Sequence, residues 1–389
     1  MGSQHGKRHP VGGAALVLTG TIVGVGMFGV PYAIGQVGVW MTLAYFLVLG
    51  GIQLLQSLYY AEVVMACPER LRLVGLTERY LGRRWRKLAA TATVFGFWGS
   101  LIAYVLVGGS FLHLLLSPLF GGAPFHYQIV WGAVGAVVVL FGLEFVEKID
   151  FWTTVALAAA LLAVVVVLAG EFDPARFTAV VPHGDLFLPY GVILFSLSGI
   201  SAIPEMEDMM GRKKRQLRQA IVYGALIATA LTVLFGLAVY GVTGAETTGD
   251  ALSGLQRVLG GRIVPFCAAV GFLAVATSYF MIGLSLRSTF EFDYRLRRPW
   301  AWLLAVVVPL ALVLAGINDF ISTVGFTGAV FGGSAAVIVV LLYLAVDRHG
   351  LMGRRRLPVS RAWAYVSIAV LSLGAVYETV DSLRQLWTA

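Results

Sequence analysis

The chain has 389 residues, 59% of them hydrophobic and only 12% charged, about half the charge of an ordinary soluble domain. A water-soluble globule of this size cannot cover so much apolar side chain with so little polar surface, so the composition points to a protein that crosses a bilayer many times. The net charge of +8 does not mark a nucleic-acid binder, because the basic residues sit in loops between apolar runs rather than along one face.

Apolar runs predict eleven spans, at 11–32, 38–65, 88–116, 127–143, 149–170, 186–204, 217–242, 263–287, 299–316, 320–345 and 361–381, the fourth and ninth being short. The run from Val11 to Val30 is too long for a signal-peptide core and counts as the first span. The N-terminus and the loops after the even-numbered spans hold 24 of the 28 Lys and Arg residues, leaving Arg176, Arg257, Arg262 and Arg384 opposite. The positive-inside rule then puts the N-terminus in the cytoplasm and the C-terminus outside. The loop Glu144 to Asp150, with one lysine and three acids, departs from the pattern, but acids contribute little to orientation. No linker divides the chain, so residues 1–389 form a single domain. The longest extramembrane stretches, near 67–87, 171–185 and 243–262, are too small to fold alone.

Span one contains Gly20-Thr21-Ile22-Val23-Gly24-Val25-Gly26-Met27-Phe28-Gly29-Val30-Pro31, and span six contains Phe195-Ser196-Leu197-Ser198-Gly199-Ile200-Ser201-Ala202-Ile203-Pro204. Taken singly, either stretch suits close helix packing. Their placement five spans apart favours two interrupted helices, the sequence pointer to a secondary transporter's binding site. The N–H groups that begin the second half of span one suit a carboxylate. Carbonyls that end the first half of span six suit an ammonium group or a cation. A site offering both is a receptor for a zwitterion, and an α-amino acid is the obvious candidate.

Span one resembles the G-T-x-I-G-x-G-M-x-x-x-P signature of the hydroxy/aromatic amino acid permeases and their amino acid/auxin permease relatives, within the amino acid–polyamine–organocation superfamily. Gly99-Ser100-Leu101-Ile102-Ala103-Tyr104 in span three and Ala276-Thr277-Ser278-Tyr279-Phe280 with Gly283-Leu284-Ser285-Leu286 in span eight are similar to two further stretches of that family. The resemblance implies an all-α polytopic membrane protein with the LeuT-like fold: inverted repeats over 11–170 and 186–345, discontinuous helices one and six, and an added helix at 361–381. It also implies alternating-access uptake of a neutral, aromatic or apolar L-amino acid, driven by a cation. Carried over, the backbone at Val23, Gly24, Val25 and Gly26 holds the carboxylate. Carbonyls of span one and of Phe195, Ser196, Leu197 and Ser198 hold the amino group, and Tyr104 reaches the site from span three.

In sodium-coupled members of this fold a sodium lies between spans one and eight. Its ligands on this sequence would be the carbonyls of Gly20, Val23 and Ala274 and the hydroxyls of Thr277 and Ser278, a hard-oxygen set suited to an alkali cation. The rival for Thr277 and Ser278 is bonding back to their own helix. Proton coupling is the rival for the ion. Glu62 and Glu205 are its candidate carriers, and pairing with loop arginines is the simpler account of both. A second sodium site would need a polar side chain where Met27 stands.

Met27, Phe28, Trp98 and Phe195 lie near the expected site along the sequence and favour an apolar or aromatic substrate. Cys67 and Cys267 have no partner motif, and the six histidines (His5, His9, His113, His126, His183, His349) lack metal-ligand spacing. Arg212-Lys213-Lys214-Arg215 reads as a membrane-surface anchor. No catalytic constellation stands at membrane depth, so an enzyme is not expected, and the paired breaks favour one occluded site over a channel pore. The alternative within transporters is a nucleobase or other small-solute carrier on the same fold. Expected partners are the amino acid and the lipid bilayer, with no cofactor beyond a coupling ion and neither nucleic acid nor an obligate protein partner.

Overall fold

The computed structural model describes residues 10–69, 71–141, 150–178, 185–210, 213–260, 264–292, 294–351, 357 and 360–388, and these are helical almost throughout. Among the described residues, eight helices are long and apolar enough to cross a membrane, and the bent pair Val11–Ile22 and Val25–Val37 makes a ninth if it is one span. Val155–Glu171 and Arg298–Leu314 are apolar but shorter. With those two, every predicted span has its helix, in order. Span four is the 18-residue helix Pro124–Phe141, and span five includes the 19-residue helix Asp150–Leu168. The loop Glu144–Asp150, apart from Asp150 itself, lies outside the described residues, as do Arg212, His5, His9 and His183.

Two short helices occupy stretches expected to be loops: Leu73–Leu81 and Leu252–Leu259. In the first, Leu73, Val74, Leu76 and Thr77 are buried while Glu78 and Arg79 face outward, an amphipathic pattern. Gly82, at φ +91°, turns this helix directly into span three, which therefore starts at Arg83 and not at 88.

Large apolar side chains such as Leu47, Val166, Leu373 and Trp387 stand on the outside. Facing water they would be a liability, but lipid is their natural solvent. Charged groups within the bundle are paired. Glu62 of span two, 1% exposed, meets Arg218 of span seven at 2.6 Å, and Asp347 of span ten meets Arg361 of span eleven at 2.5 Å. Glu205, more exposed, lies 3.8 Å from Arg72. Both candidate proton carriers are thus held against arginines.

Small residues set the helix spacing. Span six begins with Leu188–Ser196, and span ten comprises Phe320–Phe326, a π-turn at Thr327–Gly332, and Gly333–Arg348. Gly191 of span six and Gly325 and Gly328 of span ten bring the two backbones into direct contact: a Cβ on Gly191 or Gly328 would collide with the other helix's carbonyl oxygens. Gly99 of span three makes room in the same way for Thr327 in the π-turn. Gly191→Val should therefore destabilise the bundle by about 1–3 kcal/mol through overpacking. A lowered midpoint of thermal unfolding in detergent would show it, and an unchanged midpoint would mean that spans six and ten are not packed this closely.

Candidate functional site

The first half of span one, Pro10–Ile22, ends where Val23 N–H reaches Thr19 O at 2.8 Å. The chain then bends by 51° into a 3₁₀ turn at Val25–Gly29, where Met27 N–H donates to Gly24 O at 3.3 Å. Among the described residues, the carbonyls of Gly20 to Val23 accept no backbone hydrogen bond across the break. The N–H groups of Gly24, Val25 and Gly26 donate to no backbone carbonyl. Freed acceptors and freed donors are thus separated by one bend.

The glycines here provide space, not unusual dihedrals. Gly24 is extended, with φ −139° and ψ −152°, a conformation open to any residue. A Cβ on it would lie 2.9 Å from the Tyr104 hydroxyl and 3.6 Å from Ser278 Oγ. A Cβ on Gly26 would lie 2.7 Å from the Cα of Ser196 and 2.8 Å from the Phe195 ring. The two breaks therefore touch, as the pairing of the motifs predicted.

Span six stops at Ser196, turns once at Ile200–Ala202 and resumes as Ile203–Met210. Leu197 N–H bonds Ile193 O at 3.0 Å, and Ser198 N–H bonds Phe195 O at 3.2 Å. Phe195 O is thus already engaged, whereas the carbonyls of Ser196 and Leu197 accept no backbone bond across the gap. The Ser196 hydroxyl donates to Ile193 O at 3.0 Å, and the Leu197 side chain packs toward Gly50 of span two, so these two face the site through their backbone. Ser198 is exposed.

Span three, Arg83–Phe120, and span eight, Val264–Phe292, supply the facing side chains. The buried Tyr104 hydroxyl stands beside the Ser278 hydroxyl and the Val25 backbone. Trp131 of span four fixes the Tyr104 main chain by donating Nε1 to its carbonyl at 3.1 Å. Thr277, in contrast, bonds back to Leu273 O at 3.1 Å and Ala274 O at 3.0 Å, the local alternative open to any helical threonine. In this rotamer the cation ligands that no helical bond occupies are the carbonyls of Gly20 and Val23, together with the hydroxyl of Ser278, which hydrogen-bonds Tyr104.

Of the four candidate pocket side chains, Phe195 touches the span-one break, and Met27 is fully buried beside it in the chain. Phe28 stacks edge-on against Phe111 of span three and Phe235 of span seven, with centroids 4.7 Å and 5.4 Å apart. Gly271 of span eight leaves room for this layer, since a Cβ there would lie 2.7 Å from Phe111. Phe111 and Gly271 are each seven residues from Tyr104 and Ser278, so the rings lie about 10 Å along the bundle from the breaks. Trp98 faces away from the site. Its indole donates to Leu304 O at 2.8 Å, a carbonyl in the π-turn Leu303–Val307 of span nine.

Sequence reasoning passed over Trp131 and Gln53. The Gln53 side-chain amide donates to Leu194 O, the last full turn before the span-six break, at 3.0 Å. Its signal was there to find: Gln53 and Gln56 are two amides in an otherwise apolar span, and polar residues at membrane depth merit attention even without charge.

The model of the tryptophan/tyrosine permease family matches residues 7–375. The chain belongs to that family. It is similar to the tyrosine-specific transport system 1 of Haemophilus influenzae, at 24% identity over 350 residues, covering 85% of this chain and 86% of the relative. Similarity to the tryptophan-specific transport protein of Pseudomonas aeruginosa is 24% over 400 residues, covering 94% and 92%. Among solved structures, MhsT in complex with L-phenylalanine superposes with a TM-score of 0.68 at 18% identity, covering 93% of this chain and 98% of that one. The fold is LeuT-like, and this permease is a multi-pass membrane transporter, not an enzyme.

Gly26→Ala should abolish transport, because its Cβ meets span-six backbone that has no room to retreat. Uptake within threefold of the parent, from an equal amount of membrane-inserted protein, would show that the two breaks need not touch.

Proposed function

We propose that this permease carries a neutral aromatic L-amino acid by alternating access, coupled to a cation. The observation that carries the proposal is the contact of the two breaks at Gly26 and Ser196. It brings the N–H groups of Gly24 and Gly26, which no backbone carbonyl takes, close to the carbonyls of Ser196 and Leu197, while the Val25 N–H meets the Tyr104 hydroxyl. A carboxylate binds the glycine N–H groups and an ammonium group the carbonyls, so the zwitterion is recognised by backbone alone. Side-chain choice then falls to Phe195, whose ring lies at the contact of the two breaks and offers edge and face contacts to an aromatic substrate. The names of the tyrosine- and tryptophan-transporting relatives support this class.

Sodium is the coupling ion that the donor set suits best. Gly20, Val23 and Ser278 offer neutral hard oxygens, and rotation of Thr277 would free its own hydroxyl together with the Ala274 carbonyl. Against a proton stand the contacts of both candidate carriers with arginines, Glu62 with Arg218 and Glu205 with Arg72. The repeats run over 11–170 and 186–345, with the N-terminus cytoplasmic, as the distribution of Lys and Arg supports.

Proteoliposomes given an inward sodium gradient should accumulate radiolabelled tryptophan or tyrosine, while a proton gradient alone should not drive uptake. Accumulation driven only by protons would remove the sodium assignment. Failure of both gradients with folded protein would remove the amino-acid reading in favour of another small solute. Ser278→Ala should raise the sodium concentration for half-maximal uptake about tenfold or more, and an unchanged sodium dependence would place the ion elsewhere.

A further inference from the structure

A helix broken in hydrocarbon has to find new partners for each backbone group it frees. In span six the Ser198 N–H, which in a continuous helix would bond the Leu194 carbonyl, bonds Phe195 O at 3.2 Å instead. The Leu194 carbonyl, in a residue 1% exposed, would be left without its donor. The buried side chain of Gln53 fills that role from span two, with Nε2 at 3.0 Å across 141 residues of sequence. Gly50, one turn earlier on the same helix, lies where a Cβ would sit 3.6 Å from Leu197, so span two approaches the break closely at this level.

We propose that Gln53 is a positioning residue for substrate binding: its amide replaces the lost helical donor on the Leu194 carbonyl and holds span six broken at the register that presents Phe195 and Ser196 to Gly26. The logic is competitive. If span six were straight through Ser198, the Leu194 carbonyl would be satisfied internally and the Gln53 amide would be the buried orphan. With span six broken, each satisfies the other. The bond therefore favours the broken form selectively and does not merely tie two helices together. It acts one residue before Phe195, whose ring touches the span-one break, so a slip in the break is felt directly at the substrate. The inference rests on the assignment of the breaks as the amino-acid site.

The test is equilibrium binding of radiolabelled tryptophan and tyrosine to the purified full-length protein in detergent, with sodium present and no gradient imposed. Gln53→Leu keeps the volume but removes the donor. It should weaken binding about tenfold or more, equivalent to about 1.4 kcal/mol, with its unfolding midpoint close to the parent's. Gln53→Glu keeps the shape and can donate only when protonated, a state that burial favours. Its affinity should approach the parent's at low pH and fall as pH rises. Tyr59 and Glu62 of span two, Glu205 of span six, Arg218 of span seven and Tyr343 of span ten are the same in parent and variant, so the ratio of the two affinities at each pH isolates position 53. An affinity for Gln53→Leu within twofold of the parent, or a pH profile for Gln53→Glu that follows the parent's, would overturn the inference and leave the amino-acid assignment intact. Absence of binding by the parent itself would overturn that assignment, and with it this inference.

Discussion

Hydrocarbon offers no hydrogen bonds, and that constraint organises this permease. An unpaired amide in a bilayer costs several kcal/mol, so a membrane helix breaks only where the freed groups meet protein, water or a ligand. Spans one and six both break, and they break against each other. The first releases N–H groups at Gly24 to Gly26, and the second releases carbonyls at Ser196 and Leu197. Neither gap is stable in lipid alone. Packed together beside Tyr104 and Ser278, they gather backbone donors and acceptors of the kinds an α-amino acid needs.

Much of the surrounding structure follows from the need to bring backbones close at that level. Gly191, Gly325 and Gly328 let spans six and ten touch, Gly99 admits Thr327, and Gly26 admits Ser196. The π-turn of span ten sits in this crowded zone, and such turns redistribute carbonyls where helices must depart from regular geometry. Along the bundle, the closure changes character. About 10 Å from the breaks, Phe28, Phe111 and Phe235 form an apolar seal, whereas spans two and seven are joined by the pair of Glu62 and Arg218. An aromatic seal parts with little electrostatic penalty. A buried ion pair separates only when each partner finds water or another charge. The two kinds of closure thus respond to different features of the solvent that reaches them.

The spans and the breaks were legible because they rest on local signals: apolar length, glycine and proline in a membrane helix, and basic residues in alternate loops; the placement of Tyr104 and Ser278 beside span one came only with the family resemblance. The short helices at Leu73–Leu81 and Leu252–Leu259 were missed because brief amphipathic runs look like polar loops beside twenty-residue apolar segments. Trp98 is close in sequence to the span-three motif, yet its indole turns to the Leu304 carbonyl in span nine. Six residues are more than one and a half turns of helix, so neighbours in sequence need not share a face. Thr277 and Ser278 are adjacent for the same reason without being equivalent: one bonds its own helix and the other faces Gly24 and Tyr104.

By itself the sequence determined that the chain lives in a membrane, that it crosses many times, and which two helices cannot be continuous. These properties depend on how each segment partitions between water and lipid and on whether its own backbone bonds can close, and both are decided within about twenty residues. Only the tertiary structure decided which freed groups stay free. That Gln53 takes the Leu194 carbonyl, that Trp131 fixes Tyr104, and that Gly26 lies under Ser196 are matters of distance between segments far apart in the chain. Such distances are set by the packing of the whole bundle, which no local pattern encodes.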